Sequence, residues 1–254
     1  MKSIFSKKSI LGTMAVAAVC MLGTGNVQAQ EFTIQGDLVS SYVWRGIYQG
    51  GAASFQPTLG FSVGNFSLTA WGSTSLSESN KEIDLTAAYK FGEAGPTLSV
   101  ASLWWNGQAD VANGELTNDY FHFKSGDTGH HFEAGLAYTL PVEKFPLSIA
   151  WYTMFAGADR KMTDKGEEKQ AYSSYVELNY PFSVKGVDLN ATCGVVPYET
   201  PQYNVNGFAV TNLALKATKA INFNDKFSLP IFVQAIWNPR LEDAHLVFGV
   251  TLRP

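Results

Sequence analysis

Lys81-Glu82-Ile83-Asp84-Leu85-Thr86-Ala87-Ala88-Tyr89-Lys90-Phe91 is the stretch whose reading decides the fold. Ile83, Leu85, Ala87, Tyr89 and Phe91 fall on alternate positions, and Glu82, Asp84, Thr86, Ala88 and Lys90 fall between them. Successive side chains of a strand point to opposite faces, so this segment has one apolar face and one polar or small face. Phe132, Ala134, Leu136, Tyr138 and Leu140 stand in the same way against His131, Glu133, Gly135, Ala137 and Thr139. Leu246, Phe248, Val250 and Leu252 likewise oppose Val247, Gly249 and Thr251.

Outward from these segments, the same period predicts twelve strands: 33–46, 54–63, 66–75, 81–91, 97–106, 130–140, 146–155, 171–182, 187–196, 209–221, 227–237 and 244–252. Their connections alternate in length. Short ones lie at Gly64-Asn65, 92–96, 141–145, 183–186 and 222–226; longer ones lie at 47–53, 76–80, 107–129, 156–170, 198–208 and 238–243. An even number of strands with short turns at one end and long loops at the other is the habit of transmembrane barrels. A soluble β-sandwich has no reason to keep that order. Lipid offers the backbone no hydrogen-bond partner, so the strands must close into a ring with the apolar face outward. The expected fold is all-β: an antiparallel, up-and-down transmembrane β-barrel of residues 30–254. Pro57 and Pro230 fall inside strands and predict local gaps in the ladder or bulges.

Aromatic residues gather near strand ends, where amphipathic rings mark membrane interfaces. Tyr89, Phe91, Tyr138 and Tyr180 belong to the short-turn end, and Trp44, Trp71 and Trp237 to the long-loop end.

Residues 1–29 stand apart from this pattern. Lys2, Lys7 and Lys8 precede a short apolar run from Ile10 to Leu22, and Val27-Gln28-Ala29 supplies small residues before Gln30. That is the layout of a secretory signal peptide cleaved after Ala29, and its apolar run is too short to span a bilayer. Of the 18 basic residues three belong to this leader, which leaves 15 against 22 acidic ones, a net charge of -7. An acidic balance argues against nucleic acid as a partner, since phosphates demand basic patches. Cys193 is the one cysteine beyond the leader, so no disulfide framework is expected.

The segment Ser41-Tyr42-Val43-Trp44-Arg45-Gly46-Ile47-Tyr48-Gln49, with Gln56-Pro57 in the strand that follows, resembles the N-terminal signature of a family of presumed bacterial outer-membrane proteins, the Gcw-type conserved hypothetical proteins. The match covers residues 37–60. It implies an outer-membrane barrel and implies no activity.

Read by itself, the segment continues the first strand. Arg45 shares parity with Asp37 and Ser41 and should point into the lumen near the outer mouth, with Tyr42 and Trp44 facing lipid. Arg45 is then either a constriction charge that selects anions or one half of a structural ion pair. The other expected lumen charges are Asp37, Glu82, Asp84, Lys90, Glu133, Glu177 and Asp188; acids outnumber bases, so an open lumen would mildly prefer cations. A twelve-strand ring has a backbone radius of about 12 Å, and inward side chains leave a passage of at most about 14 Å. Long side chains or the 107–129 loop could equally fill it.

No catalytic constellation is legible. The histidines are His122, His130, His131 and His245, and none stands in a Ser-His-Asn spacing of the kind that lipid-hydrolysing barrels use. The acids and imidazoles of residues 107–129 match no metal-ligand spacing, and no cofactor motif is present. The expectation is a small outer-membrane channel or uptake porin for an unidentified small solute. Its other partners would be outer-membrane lipid and the barrel-assembly machinery. A lipid-modifying enzyme and a closed structural or surface-interaction barrel are the rivals.

Overall fold

A computed structural model of the chain describes residues 30–50, 52–106, 108–110, 115–117, 119–124, 128–224 and 227–254. The leader expected at 1–29 and its cleavage point lie outside the described residues. Among the described residues twelve antiparallel strands close into one barrel, and no helix is present. They are β1 (Gln30–Val39), β2 (Ser54–Val63), β3 (Phe66–Ser75), β4 (Lys81–Lys90), β5 (Thr97–Trp105) and β6 (His130–Thr139). The ring continues with β7 (Ser148–Gly157), β8 (Ser174–Val184), β9 (Val187–Val196), β10 (Ala209–Asn224), β11 (Phe227–Asn238) and β12 (Asp243–Leu252). Each strand pairs with its neighbours in sequence, and β12 returns to β1.

Alternation sets the two faces. Phe32, Leu59, Leu85, Leu136, Leu246 and Phe248 point outward and are 47–69% exposed, which only an apolar surround makes favourable on this scale. The outward rings Phe32 and Phe61, Tyr89 and Phe91, Tyr180 and Phe182, and Phe223 and Phe227 pair up near the short-turn end. Inward positions carry Ser, Thr, Asn, Gly and charged residues, together with buried apolar ones such as Val39, Leu103, Met154 and Ile236.

The two prolines sit where the ladder can spare a donor. β2 pairs fully with β1, but its register with β3 passes from Phe55↔Thr74 to Thr58↔Trp71 and skips Pro57. Pro230 pairs with Ala220 of β10, and the pairing of β11 with β12 begins only at Ile231. Pro146 similarly delays β7, which begins at Ser148 rather than 146.

The largest departure from expectation is at the first strand. β1 stops at Val39, after which a bend at Ser40 and Ser41 turns the chain into the lumen. Tyr42–Trp44 and Ile47–Gly50 then form a short antiparallel hairpin of their own, inside the barrel. Its two-residue turn, Arg45 and Gly46, has φ of 50° and 82°, the mirror-image turn that tight hairpins prefer. Parity counted from β1 does not survive the bend. Trp44 therefore lies within the barrel and not at the lipid interface.

The seam that closes the ring is short. β1 and β12 share four residue pairs, from Gly36↔Leu252 to Val39↔Gly249, whereas β1 and β2 pair from Gln30↔Val63 to Val39↔Ser54. Just past it, Ser40 N donates to the carbonyl of Phe248 at 2.8 Å, and Phe248 N donates to Ser40 Oγ at 2.9 Å.

Candidate functional site

The inner hairpin crosses the lumen from the β1 side and seats its side chains on three sectors of the wall. Val43 packs on a buried cluster of Val39, Ala214, Phe232, Ile236 and Val247. Trp44 and Ile47 pack against Tyr175, Val196, Tyr203, Val205 and Ala209, which bring in the 197–208 loop. Trp44 also reaches the cluster of Ala101, Leu103 and Met154. Each such apolar contact removes surface from the aqueous lumen, and fully burying a large apolar side chain is worth about 1.5–3 kcal/mol.

Arg45 stands at the tip. Its guanidinium donates from Nη1 to Glu133 Oε2 at 2.7 Å and from Nη2 to Glu133 Oε1 at 2.8 Å, a two-pronged pairing with β6 on the far wall. Nη1 also donates to the Tyr203 hydroxyl at 2.6 Å. The rings of Trp44, Tyr152 and Tyr175 lie 4.7, 4.6 and 4.8 Å from the guanidinium carbon. With its side chain only 12% exposed, the cation is held by one carboxylate and an aromatic cage. Burial alone would oppose its charge, but Tyr203 and Glu133 outweigh that and raise the Arg45 pKa further. Burial likewise pushes the Tyr203 phenol up, so it is a neutral hydroxyl here.

Backbone contacts fix the same tip. Asn238 Nδ2 donates to the Gly46 carbonyl at 3.0 Å, and a Cβ at Gly46 would collide with the carbonyl of Thr211. Only glycine satisfies both that space and its positive φ.

The remaining expected lumen charges all project inward. Glu82 and Asp84 line the wall on β4 beside the hairpin, and Lys90 lies at the opposite end of the same strand. Glu177 accepts from the Tyr175 hydroxyl at 2.9 Å and from Asn179 Nδ2 at 2.6 Å. Asp37 accepts from Gln35 Nε2 at 3.3 Å, and Asp188 from Ser183 Oγ at 2.7 Å near a short turn. Arg45 and Glu133 are brought together; Asp37, Lys90 and Asp188 lie apart from them.

Among the expected interface aromatics, Tyr89, Phe91, Tyr138, Tyr180 and Trp237 point outward. Trp71 points inward: it pairs with Asp84 and Thr58, both on the lumen face, and packs 5.5 Å from Tyr42. Its place between Ser67, Thr69, Ser73 and Ser75, in the middle of its strand, puts it on the lumen face and away from either interface.

Between the hairpin and the β2–β5 wall lies a chamber of about 260 Å³ that opens at the long-loop end. Tyr42, Trp44 and Trp105 form its apolar sides, and Ser54, Ser73, Glu82 and His131 its polar ones. Gln49, Asn80, Asn106 and Gln202 stand at the rim. Glu82 is 2% exposed, and neither of its carboxylate oxygens makes a hydrogen bond of normal geometry among the described residues.

A second polar pair lies on the outer wall. Ser102 Oγ is 2.8 Å from His130 Nδ1, and His130 Nε2 is 2.6 Å from the carbonyl of Tyr120. Tyr120 and Phe123 of the 107–129 loop cover His130, so this part of the loop lies against the outside of β5 and β6. An apolar groove of about 550 Å³, walled by Leu68, Leu85, Val100 and Phe132, runs to Ser102. Sequence spacing gave no hint of this pair, because only the β5–β6 register sets residue 102 beside residue 130. Asp110 and Glu115 pair across a short hairpin of the same loop, Asp127 lies outside the described residues, and no group of three or more potential metal ligands occurs among the described residues.

No family model matches the chain, and no curated protein matches it. Among solved structures, an outer membrane channel from Pseudomonas putida F1 is similar at 11% identity, over 91% of this chain and 98% of that one, with a TM-score of 0.42. The translocator domain of the autotransporter NalP from Neisseria meningitidis is similar at 13% identity, over 96% of this chain and 94% of that one, with a TM-score of 0.39.

Proposed function

We propose that this protein is a gated solute-uptake channel of the bacterial outer membrane that works without a catalytic step. In this reading the short turns face the periplasm, the long loops face the exterior, and outer-membrane lipid surrounds the apolar band. Insertion would be the work of the barrel-assembly machinery. The observation that carries the proposal is the hairpin 42–50, held across the lumen by the Arg45–Glu133 pair. Below it the wall carries small polar residues such as Thr58, Thr86, Ser99 and Thr192, which leave room for a solute.

The latch is built to hold and to release. One two-pronged ion pair, three apolar seats and a few hydrogen bonds with Asn238, Tyr203 and Asn80 keep the short hairpin in place, and its covalent links to the ring are only those at its two ends. The likeness of residues 41–49 to the Gcw-type signature fits the same proposal, since Trp44, Arg45 and Gly46 are the three residues the latch requires.

The test is single-channel conductance of the refolded protein in a planar bilayer. The native protein should be mostly closed, and Arg45→Ala should give reproducible open steps. An Arg45→Ala barrel that shows the heat-dependent gel shift of a folded barrel, yet is as silent as the native one, would overturn the gate.

A second reading, a lipid-acting serine enzyme, has the Ser102–His130 pair in its favour. In it Nδ1 would take the serine proton while the Tyr120 carbonyl holds Nε2–H. Covalent labelling by a fluorophosphonate, lost in Ser102→Ala, would favour it over the channel; no labelling would remove it.

A further inference from the structure

We propose that the chamber beside the hairpin is a binding site for a small organic cation, whose ammonium group is taken by Glu82 and faced by the rings of Tyr42, Trp44 and Trp105. The inference rests on the channel reading and names the class of solute that would reach its gate.

Charge bookkeeping around the chamber leads there. Glu82 is buried, and its oxygens lack hydrogen bonds of normal geometry; Tyr42, Trp105 and Asp84 are its polar neighbours. A buried carboxylate is costly unless it is paired. The cation that acts on it, Arg45, already gives both prongs to Glu133 and a further bond to Tyr203. Asp84, the next inward residue on β4, adds a second carboxyl with an oxygen that accepts no bond. Lys81 is exposed at the rim, and His131 is buried in the wall. Glu82 and Asp84 face each other closely enough to share one proton, so the pair holds a single negative charge that no cation in the chamber matches, and a cationic guest would supply the missing partner.

The walls say which kind of cation. Trp44 and Trp105 meet edge to face, with centroids 5.6 Å apart and planes at 75°, so that they form a corner beside Glu82. Aromatic faces set at an angle around a carboxylate suit alkylated or primary ammonium groups, which exchange hydration for ring contact more readily than a bare metal ion. The amides and hydroxyls at the rim, Gln49, Asn80 and Asn106, then suit a hydroxyl or carbonyl a few bonds away from the nitrogen. An anion would meet Glu82 and Asp84 unfavourably, and a neutral guest would leave the carboxylate without its counter-charge.

The experiment is calorimetric titration of choline into the refolded, detergent-solubilised full-length barrel, with its neutral carbon isostere dimethylbutanol as control. Choline should bind about tenfold or more tightly than the isostere, and Glu82→Gln should abolish that preference while keeping the heat-dependent gel shift. If Glu82→Gln does not fold, Trp105→Leu takes its place and should weaken choline several-fold. Equal binding of choline and isostere overturns the site, as does undiminished choline binding in a folded Glu82→Gln barrel. The two proposals separate cleanly. A barrel that never conducts but binds choline through Glu82 loses the channel and keeps the site; one that conducts and ignores choline loses only the site.

Discussion

The two halves of the lumen are built by different rules. Toward the short turns, the interior is whatever strand alternation supplies: Thr58, Thr86, Ser99 and Asn190 on one wall after another, with Lys90 and Asp188 among them. Toward the long loops, the interior is a packed core made from chain that is not part of the ring. The hairpin 42–50 and the loop 197–208 bring Trp44, Ile47, Tyr203 and Val205 inward, and Tyr175 and Met154 are fully buried against them. The difference shows that a barrel interior need not be decided by its strands. One half is a wetted wall, and the other is a small folded domain that uses the barrel as its container.

The sharpest way to break the comparison is at the hairpin turn. Gly46→Val adds a side chain where Thr211 stands and a β-branched residue at positive φ, so the hairpin should fail to dock and the upper half should become as open as the lower. Bilayer conductance should rise to that of the unobstructed ring. Closed behaviour in a folded variant would mean that the plug does not depend on its turn.

Glu133→Leu removes the carboxylate and leaves Arg45 buried without its partner. That should weaken hairpin docking by about 3–5 kcal/mol, seen as a high open probability and a lower urea midpoint in micelles. Tyr203→Phe deletes a single hydrogen bond to the same cation and should cost about 1 kcal/mol, with brief openings. An effect as large as that of Glu133→Leu would shift the seat of the latch to the 197–208 loop. In the lower half, Lys90→Gln should leave stability within about 0.5 kcal/mol and move the reversal potential of an opened variant toward cations. A loss of folding there would show that the wetted wall is more tightly coupled than its geometry implies.

The ring itself was legible in the sequence because a strand with one face in lipid has to declare its period. β2, β3 and β9 fall at the expected residues, and the outward sets on β4, β6 and β12 are those that alternation picks out. Parity fails only where it is carried past a bend or overruled by composition. Trp44 lies beyond the turn at Ser40 and Ser41, which resets the count; Trp71 kept its parity and was assigned by residue type instead. The site was less legible for a different reason. Arg45 with Glu133, 88 residues apart, and Ser102 with His130, 28 apart, are joined by ring order and register, neither of which leaves a local mark on the chain. Glu82 was visible as an inward carboxylate, but that it would lack a partner depended on Arg45 being taken elsewhere.

The short seam gives the hairpin a second role. Four pairs of backbone residues close the ring between β1 and β12, and the side chains that reinforce this joint are Val39, Phe232, Ile236 and Val247. Val43 of the hairpin packs on that same group, one short step along the chain from Ser40. The hairpin is thus a clasp as well as a plug: docked, it pins together the joint poorest in hydrogen bonds. A solute that lifts it would loosen the ring along the line where its two chain ends meet.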